Sequence, residues 1–310
     1  MSAFKYSQLA VLLALLAGPA AAWDSSRLDV PLMVNGQTVP YPVFAIFVMP
    51  GSTIEVGFLD ATAGAKLSLD GRPVDGAGVP LTAPATPGLA VLEIENLATG
   101  ETARIHVFVM VPADRVGKDE RLNGYRIGRY PATPLRGLDI YLPPLGFVEV
   151  TEANRDVAVS PNFTLGEFLA KQESGWPKYL VLRSSLLLKL ENIIATLNRS
   201  GRPTGGFVIM SGYRTPFYNR AIGNVQYSRH VWGGAADFYI DEAPADGIMD
   251  DLNGDGRVNR DDARWLAKFI DDMSRRGEFG PRIGGIGVYG STSAHGPFVH
   301  VDVRGTRARW

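Results

Sequence analysis

Two short stretches hold the side chains best able to do chemistry. The first, "SGYRTPFYNRAIGNVQYSRHVWGGAADFYID" at residues 211–241, sets Arg214, His230 and Asp237 among glycines. Imidazole nitrogen and carboxylate oxygen are good zinc ligands, and Gly233 and Gly234 let the chain turn tightly enough for residues seven apart to converge. Alone, the stretch also fits a plainer reading: Asp237 accepts backbone N–H bonds in a turn, and His230 is a satisfied, half-buried residue. The second stretch, "FVHVDVRG" at 298–305, alternates like a strand, with Val299, Val301 and Val303 on one face and His300, Asp302 and Arg304 on the other. The apolar face fixes the strand against a core. The other face presents an imidazole, a carboxylate and a guanidinium in a row, which calls for something polar opposite. Two histidines and one aspartate leave a tetrahedral zinc one open position, the usual catalytic pattern.

Between these stretches, "DLNGDGRVNRDD" at 251–262 places oxygen ligands at loop positions 1, 3, 5, 9 and 12 and glycine at position 6, the spacing of an EF-hand calcium loop. Asp251, Asn253 and Asp255 would bind through side chains and Arg257 through its carbonyl. Asn259 would bind directly or through water, Asp262 would close the site, and Val258 would pack inward. Aspartate at the last position and no helix before the loop resemble the dockerin type. The plainer alternative is an acidic turn capping a helix. A calcium ion here would be structural, pinning the following helix to the sheet.

These residues need elements to hold them. From about Leu28 to Val111 short apolar stretches alternate with turn dipeptides such as those in "SLDGRPVDGAG", which predicts an all-β module over 23–112, a small sandwich. Its clearest strand, "ARIHVFVMV", puts His106 on the outer face, where no nearby Asp, Glu or His shares its side to make a ligand set. Residues 113–160, rich in Gly, Pro and charge, read as an extended connector. In "FTLGEF", Thr164 and Glu167 form a capping box, with Phe163 and Phe168 as a hydrophobic staple. Helices follow at about 180–199, with Leu187, Leu190, Ile194 and Leu197 on one stripe, and at about 261–276. Gly-rich strands between and after them make residues 161–310 an α+β domain, with an antiparallel sheet and helices on one side.

Composition narrows the classes. Lys5, the apolar run Leu9–Ala17 and the small residues to Ala22 read as a secretory leader over 1–22, so the mature chain is expected to be exported. No later run approaches the roughly 20 apolar residues that span a bilayer. There is no cysteine, which excludes disulfides and thiolate ligands. With 31 basic and 32 acidic residues, nothing favours bulk nucleic-acid or anionic-membrane binding. No G-x-S-x-G element is present, and Ser211 and Ser228 read as loop hydrogen-bonders.

Taken together, Ser228, His230, Asp237 and His300, with "SGYR" upstream, "GGIGVYG" before the last strand and "RARW" at 307–310, resemble the zinc D-Ala-D-Ala carboxypeptidases and murein endopeptidases. That family is grouped with lysostaphin-type and hedgehog-fold metallopeptidases, and the likeness runs over about 160–310. It implies that His230, Asp237 and His300 hold zinc and that Arg214 steers the substrate carbonyl or carboxylate and the developing oxyanion. It also implies metal-assisted hydrolysis of amide bonds in peptidoglycan stems or cross-links, in the periplasm or cell envelope of a bacterium. One departure stands out: where relatives carry a catalytic His or Glu just before the last ligand, this chain has Phe298 and Pro297. Asp302 and His295 are then the candidates for the general base, Asp302 with the alternative of orienting a ligating imidazole. The departure also keeps a rival reading alive, a wall-binding or structural protein that retains the fold without turnover.

Overall fold

The computed structural model describes residues 22–60, 62, 64–75 and 80–310. Apart from Ala22, the expected leader lies outside them. No helix among the described residues is long and apolar enough to cross a membrane.

The N-terminal part is all β, as its turn-punctuated pattern predicts. One sheet pairs Leu32–Val34 with Gln37–Val39 and Val56–Phe58. A second orders Val43–Val48, Thr102–Val109, Gly88–Asn96, Ala65–Leu69 and Arg72–Val74, antiparallel but for its first pair. Ile105, Val107 and Val109 are buried. His106 is not on an open face: strand Ala158–Ser160 lies against Val43–Val48, and the His106 Nδ1–H donates to the Ala158 carbonyl at 2.7 Å. Burial there pushes its pKa down. Strand periodicity tells which side a residue takes, and a distant segment decides whether that side stays wet.

That segment belongs to the stretch expected as a connector, which is more than a tether. Gly146–Val150 pairs with Val111–Pro112 on one side and Lys178–Leu180 on the other. Because Lys178–Leu180 is a strand, the following helix runs Ser184–Arg199 rather than from 180. Its stripe of Leu187, Leu190, Ile194 and Leu197 is fully buried. The "FTLGEF" cap forms, with Thr164 N–H donating to Glu167 at 2.6 Å and Phe163 6.0 Å from Phe168, but it closes a single 3-10 turn, Leu165–Phe168.

Five strands carry the chemistry-bearing stretches, in the order Val208–Ser211, Ala235–Tyr239, Phe298–Asp302, Gly285–Tyr289 and Ala308–Arg309. The first three pairings are antiparallel, and the last, an edge pairing by the 308–309 tail, is parallel. Helix Arg260–Arg275 packs on the central strands Gly285–Tyr289 and Phe298–Asp302. Buried side chains from the N-terminal and C-terminal parts form one continuous hydrophobic cluster, from Leu28 to Val301.

The loop before helix Arg260–Arg275 folds on itself. Asp251 accepts from the N–H groups of Gly254, Asp255 and Gly256 at 2.8, 3.2 and 2.7 Å. Asp262 is fully buried, and its two oxygens accept from Leu252, Asn253 and Asn259 N–H, while Asn259 caps Asp261. Val258, expected inward, is 46% exposed. The Asn259 and Asp262 bonds cap the helix while those of Asp251 close the loop on itself, and among the described residues the loop carboxylates do not converge as a metal-ligating group.

The 307–310 tail is pinned to the same helix. Asp271 accepts from Arg275 at 3.0 Å, Arg307 at 2.8 Å and Arg309 at 2.7 Å. Burial would raise this carboxyl's pKa, but the arginine hydrogen bonds, led by Arg309, hold it at about 2. A depressed carboxyl adds stability that is complete above its unfolded value near 4 and is lost as pH falls through about 2. Because the arginines are partly solvated, about 1 kcal/mol is expected to disappear between pH 4 and 2. Asp271→Asn should lack this slope in denaturant titrations across that range, and identical slopes would show that the pin does not hold.

Candidate metal centre

Sheet register brings the distant ligand candidates together. Asp237 lies directly opposite His300 across an antiparallel pair, with Ser211 opposite Asp237 on the other side. Opposed residues hold their Cβ atoms roughly 5 Å apart, within side-chain reach. His230 arrives from the 3-10 turn Arg229–Trp232, whose end is Gly233 at φ +62°. The three ligand atoms form a small triangle: His230 Nε2 is 3.2 Å from both Asp237 Oδ1 and His300 Nδ1, and His300 Nδ1 is 2.7 Å from Asp237 Oδ1. Among the described residues this is the one group of three or more His or acidic side chains whose ligand atoms converge in this way.

The far side of each imidazole is occupied. His230 Nδ1–H donates to the Gly212 carbonyl at 2.6 Å, which leaves the Nε2 lone pair facing the triangle. His300 Nε2 lies 3.3 Å from Asp302 Oδ2, with Nδ1 turned toward the triangle. Ligands bound tetrahedrally at zinc distances sit about 3.3 Å from one another, so the donor set and its spacing fit that ion. Fixing a ligating imidazole through its second nitrogen sets tautomer and orientation together.

The local electrostatics suit a buried cation. Burial opposes ionisation of Asp237, yet the adjoining His230 and His300 hold its carboxyl well below the usual carboxylate range. Burial pushes His230 below its ordinary value, partly offset by Asp237. His300 is also opposed by burial, but hydrogen bonds with Asp237 and Asp302 raise it on balance.

Asp302 has no capacity left for a reacting proton. It is fully buried, and its oxygens accept from Gly285 N–H at 3.0 Å, Arg304 N–H at 3.0 Å, the Arg304 guanidinium at 2.5 Å and His300. Of its two expected roles, the geometry supports the orienting one. Asp302→Asn should therefore lower metal affinity by about 10- to 100-fold without erasing the site. Competition with a zinc-binding dye measures this, and unchanged affinity would remove Asp302 from the support.

Arg214 is not a surface ion pair. Its Nη2 donates to Asp237 Oδ2 at 2.5 Å and its Nε to Ser211 Oγ at 2.9 Å, so it braces the ligand's second oxygen. All three ligand candidates and Arg214 line a cleft of about 1170 Å³. His295 lines it too, outside the ligand triangle. Its Nδ1–H donates to the Gly296 carbonyl at 2.8 Å, which leaves Nε2 as the basic nitrogen.

Several supports carried no signal in the sequence. Tyr130 Oη–H donates to the Val231 carbonyl and Trp232 Nε1–H to the Leu142 carbonyl, both at 2.9 Å. Arg183 and Arg229 both donate to the Ile140 carbonyl. The connector thus clamps the turn that carries His230. A glycine carbonyl, Gly212, fixes one tautomer, and Trp310 packs 5.2 Å from His300.

Two histidines and an aspartate meet at one point in an open cleft on an α+β scaffold, a donor set that could hold a divalent metal ion. Residues 161–253 match the family model described as Peptidase M15, whose members are zinc-dependent peptidases. The match supports a metallopeptidase over this part of the chain. It takes in Arg214, His230 and Asp237 and stops before His300, the third candidate that the sheet register brings to them. No curated protein matches the chain.

Proposed function

We propose that the protein is a zinc-dependent peptidase that hydrolyses amide bonds in the peptide stems or cross-links of peptidoglycan. One observation carries the reading: His230 Nε2, Asp237 Oδ1 and His300 Nδ1 converge within 3.2 Å of one another, while the Gly212 carbonyl and Asp302 engage the second nitrogen of each imidazole. His230, Asp237 and His300 would hold the ion. When bound, zinc supplies a Lewis acid for the scissile carbonyl and brings water's pKa toward about 7. Arg214, fixed on Asp237 and Ser211 at the cleft wall, is positioned to meet a substrate carbonyl or carboxylate. His295 is the proton carrier: Nε2 takes a proton from water and delivers it to the leaving amine. Pro297 and Phe298 stand where relatives place that group, so the role moves to the neighbouring loop.

The leader-like start supports export to a bacterial periplasm or envelope. A structural calcium ion at 251–262 belongs to the same reading on loop spacing alone. Its binding would draw Asp251 and Asp262 away from the backbone N–H groups they now cap.

Metal analysis of the purified protein and mass spectrometry of digested peptidoglycan test the reading together. One zinc per chain and newly released stem peptides are expected. Protein without zinc sinks the enzyme reading, and zinc with unchanged muropeptides favours a wall-binding protein that keeps the fold. Removing calcium is expected to lower the melting temperature with cleavage intact below it.

A further inference from the structure

We propose that Trp310 is a substrate-contacting residue of the metal centre, its open indole face seating the aliphatic part of the peptide residue beside the scissile bond. The proposal rests on the peptidase reading above and names a subsite within it.

The indole is built into the sheet. Tail strand Ala308–Arg309 runs parallel to Gly285–Tyr289, Trp310 exchanges backbone bonds with Ile286 and Val288, and Asp271 holds Arg307 and Arg309. The ring lies where Gly285 and Gly287 have no side chain: a Cβ at either position would come within 2.8 or 2.6 Å of it. Gly287 is opposite His300 in the register, so the missing side chain places the indole beside a metal ligand, 5.2 Å between ring centroids. Trp310 Nε1–H donates to Tyr289 Oη at 2.7 Å, and the Arg304 guanidinium lies 5.3 Å from the ring. Ring position and tilt are thereby fixed before any ligand arrives.

A ring meant only to shield His300 would be buried, yet Trp310 is 46% exposed and lines the cleft. It continues an aromatic wall: Tyr289 stacks on Phe298 at 4.5 Å, and Phe298 meets His295 edge-on at 5.0 Å. Exposed Ile248 flanks the same cleft, while Arg214 and Ser211 supply its polar side. A cleft with a rigid aromatic wall and a few placed polar groups suits a ligand with an apolar flank and a polar backbone. A peptide whose carbonyl lies at the metal has that form. Because the ring is already ordered, little conformational entropy is lost on contact.

The test titrates a synthetic, sugar-free pentapeptide stem into zinc-loaded wild type and the variants Trp310→Phe and Trp310→Ala, following tryptophan emission, calorimetric binding and turnover. The peptide should change the emission of wild type and not that of Trp310→Phe, which should still bind within about threefold. Trp310→Ala should keep its zinc and its kcat within about twofold while KM rises about tenfold. An emission change that is absent, or equal in Trp310→Phe, overturns the proposal even if Trp310→Ala fails to fold. So does an unchanged KM, or a response to an N-acetylglucosamine tetramer in place of the peptide. A Trp310-dependent response without cleavage supports the subsite while removing the peptidase reading, so the two fail separately.

Discussion

His300→Ala is expected to abolish metal binding while leaving the protein folded, with zinc falling from one per chain to under about a tenth and peptide cleavage falling at least about 1000-fold. In the proposed site His300 would provide one of three ligand atoms, and the remaining pair, His230 Nε2 and Asp237 Oδ1 at 3.2 Å, cannot complete a zinc site. The fold should survive because the groups left behind keep other partners. Asp302 retains Gly285 N–H and the Arg304 guanidinium, and Asp237 retains Arg214. The comparison that gives the result meaning is His295→Ala, which should keep full zinc and lose about 100- to 10,000-fold in kcat, the range of a lost general base. Zinc analysis beside single-turnover rates separates the two. If His300→Ala keeps one zinc per chain, the ligand set is wrong; if His295→Ala keeps its rate, the proton carrier is elsewhere.

Those residues could be found in the sequence because their chemistry is local in type. An alternating strand that sets His300 and Asp302 opposite Val299 and Val301 shows its polar face without any structure, and a glycine pair after His230 shows a turn. The division into an all-β N-terminal part and an α+β remainder was legible for the same reason, since turn dipeptides and helical stripes are short-range patterns. What could not be read were choices made by partners far along the chain. Asp302 had two open roles, and the bonds from Arg304 and from Gly285 N–H on the neighbouring strand favour the orienting one. His106 lost its open face to Ala158, 52 residues away. The loop at 251–262 has the spacing of a calcium site, but the same carboxylates can cap backbone N–H groups. Spacing alone does not distinguish the two. Trp310 matters because Gly287 is empty and lies opposite His300, and pairing of that kind is fixed only when the sheet forms.

Gly233→Ala should be a damaging small substitution in the site, destabilising the protein by about 2–4 kcal/mol and releasing the metal. Two penalties add. At φ +62° an alanine sits in the left-handed region, which costs about 1 kcal/mol relative to glycine. Its Cβ would also lie 2.1 Å from the Val181 carbonyl oxygen and 2.4 Å from that carbonyl carbon. These are backbone atoms on the segment leading into helix Ser184–Arg199, and Gly233 O accepts from Arg183 N–H at 3.0 Å, so neither side can yield alone. Forced overpacking of this kind costs about 1–3 kcal/mol more. The strain falls three residues after His230, and any relief moves the turn and with it Nε2. Gly305→Ala is the control: it has φ +84° with nothing within 4 Å of the added Cβ, so it should cost only the conformational part, about 1 kcal/mol. Denaturant unfolding of both variants, with zinc content measured alongside, isolates the contact. Equal losses would mean that the close approach of Gly233 to Val181 does not hold the metal-bearing turn in place.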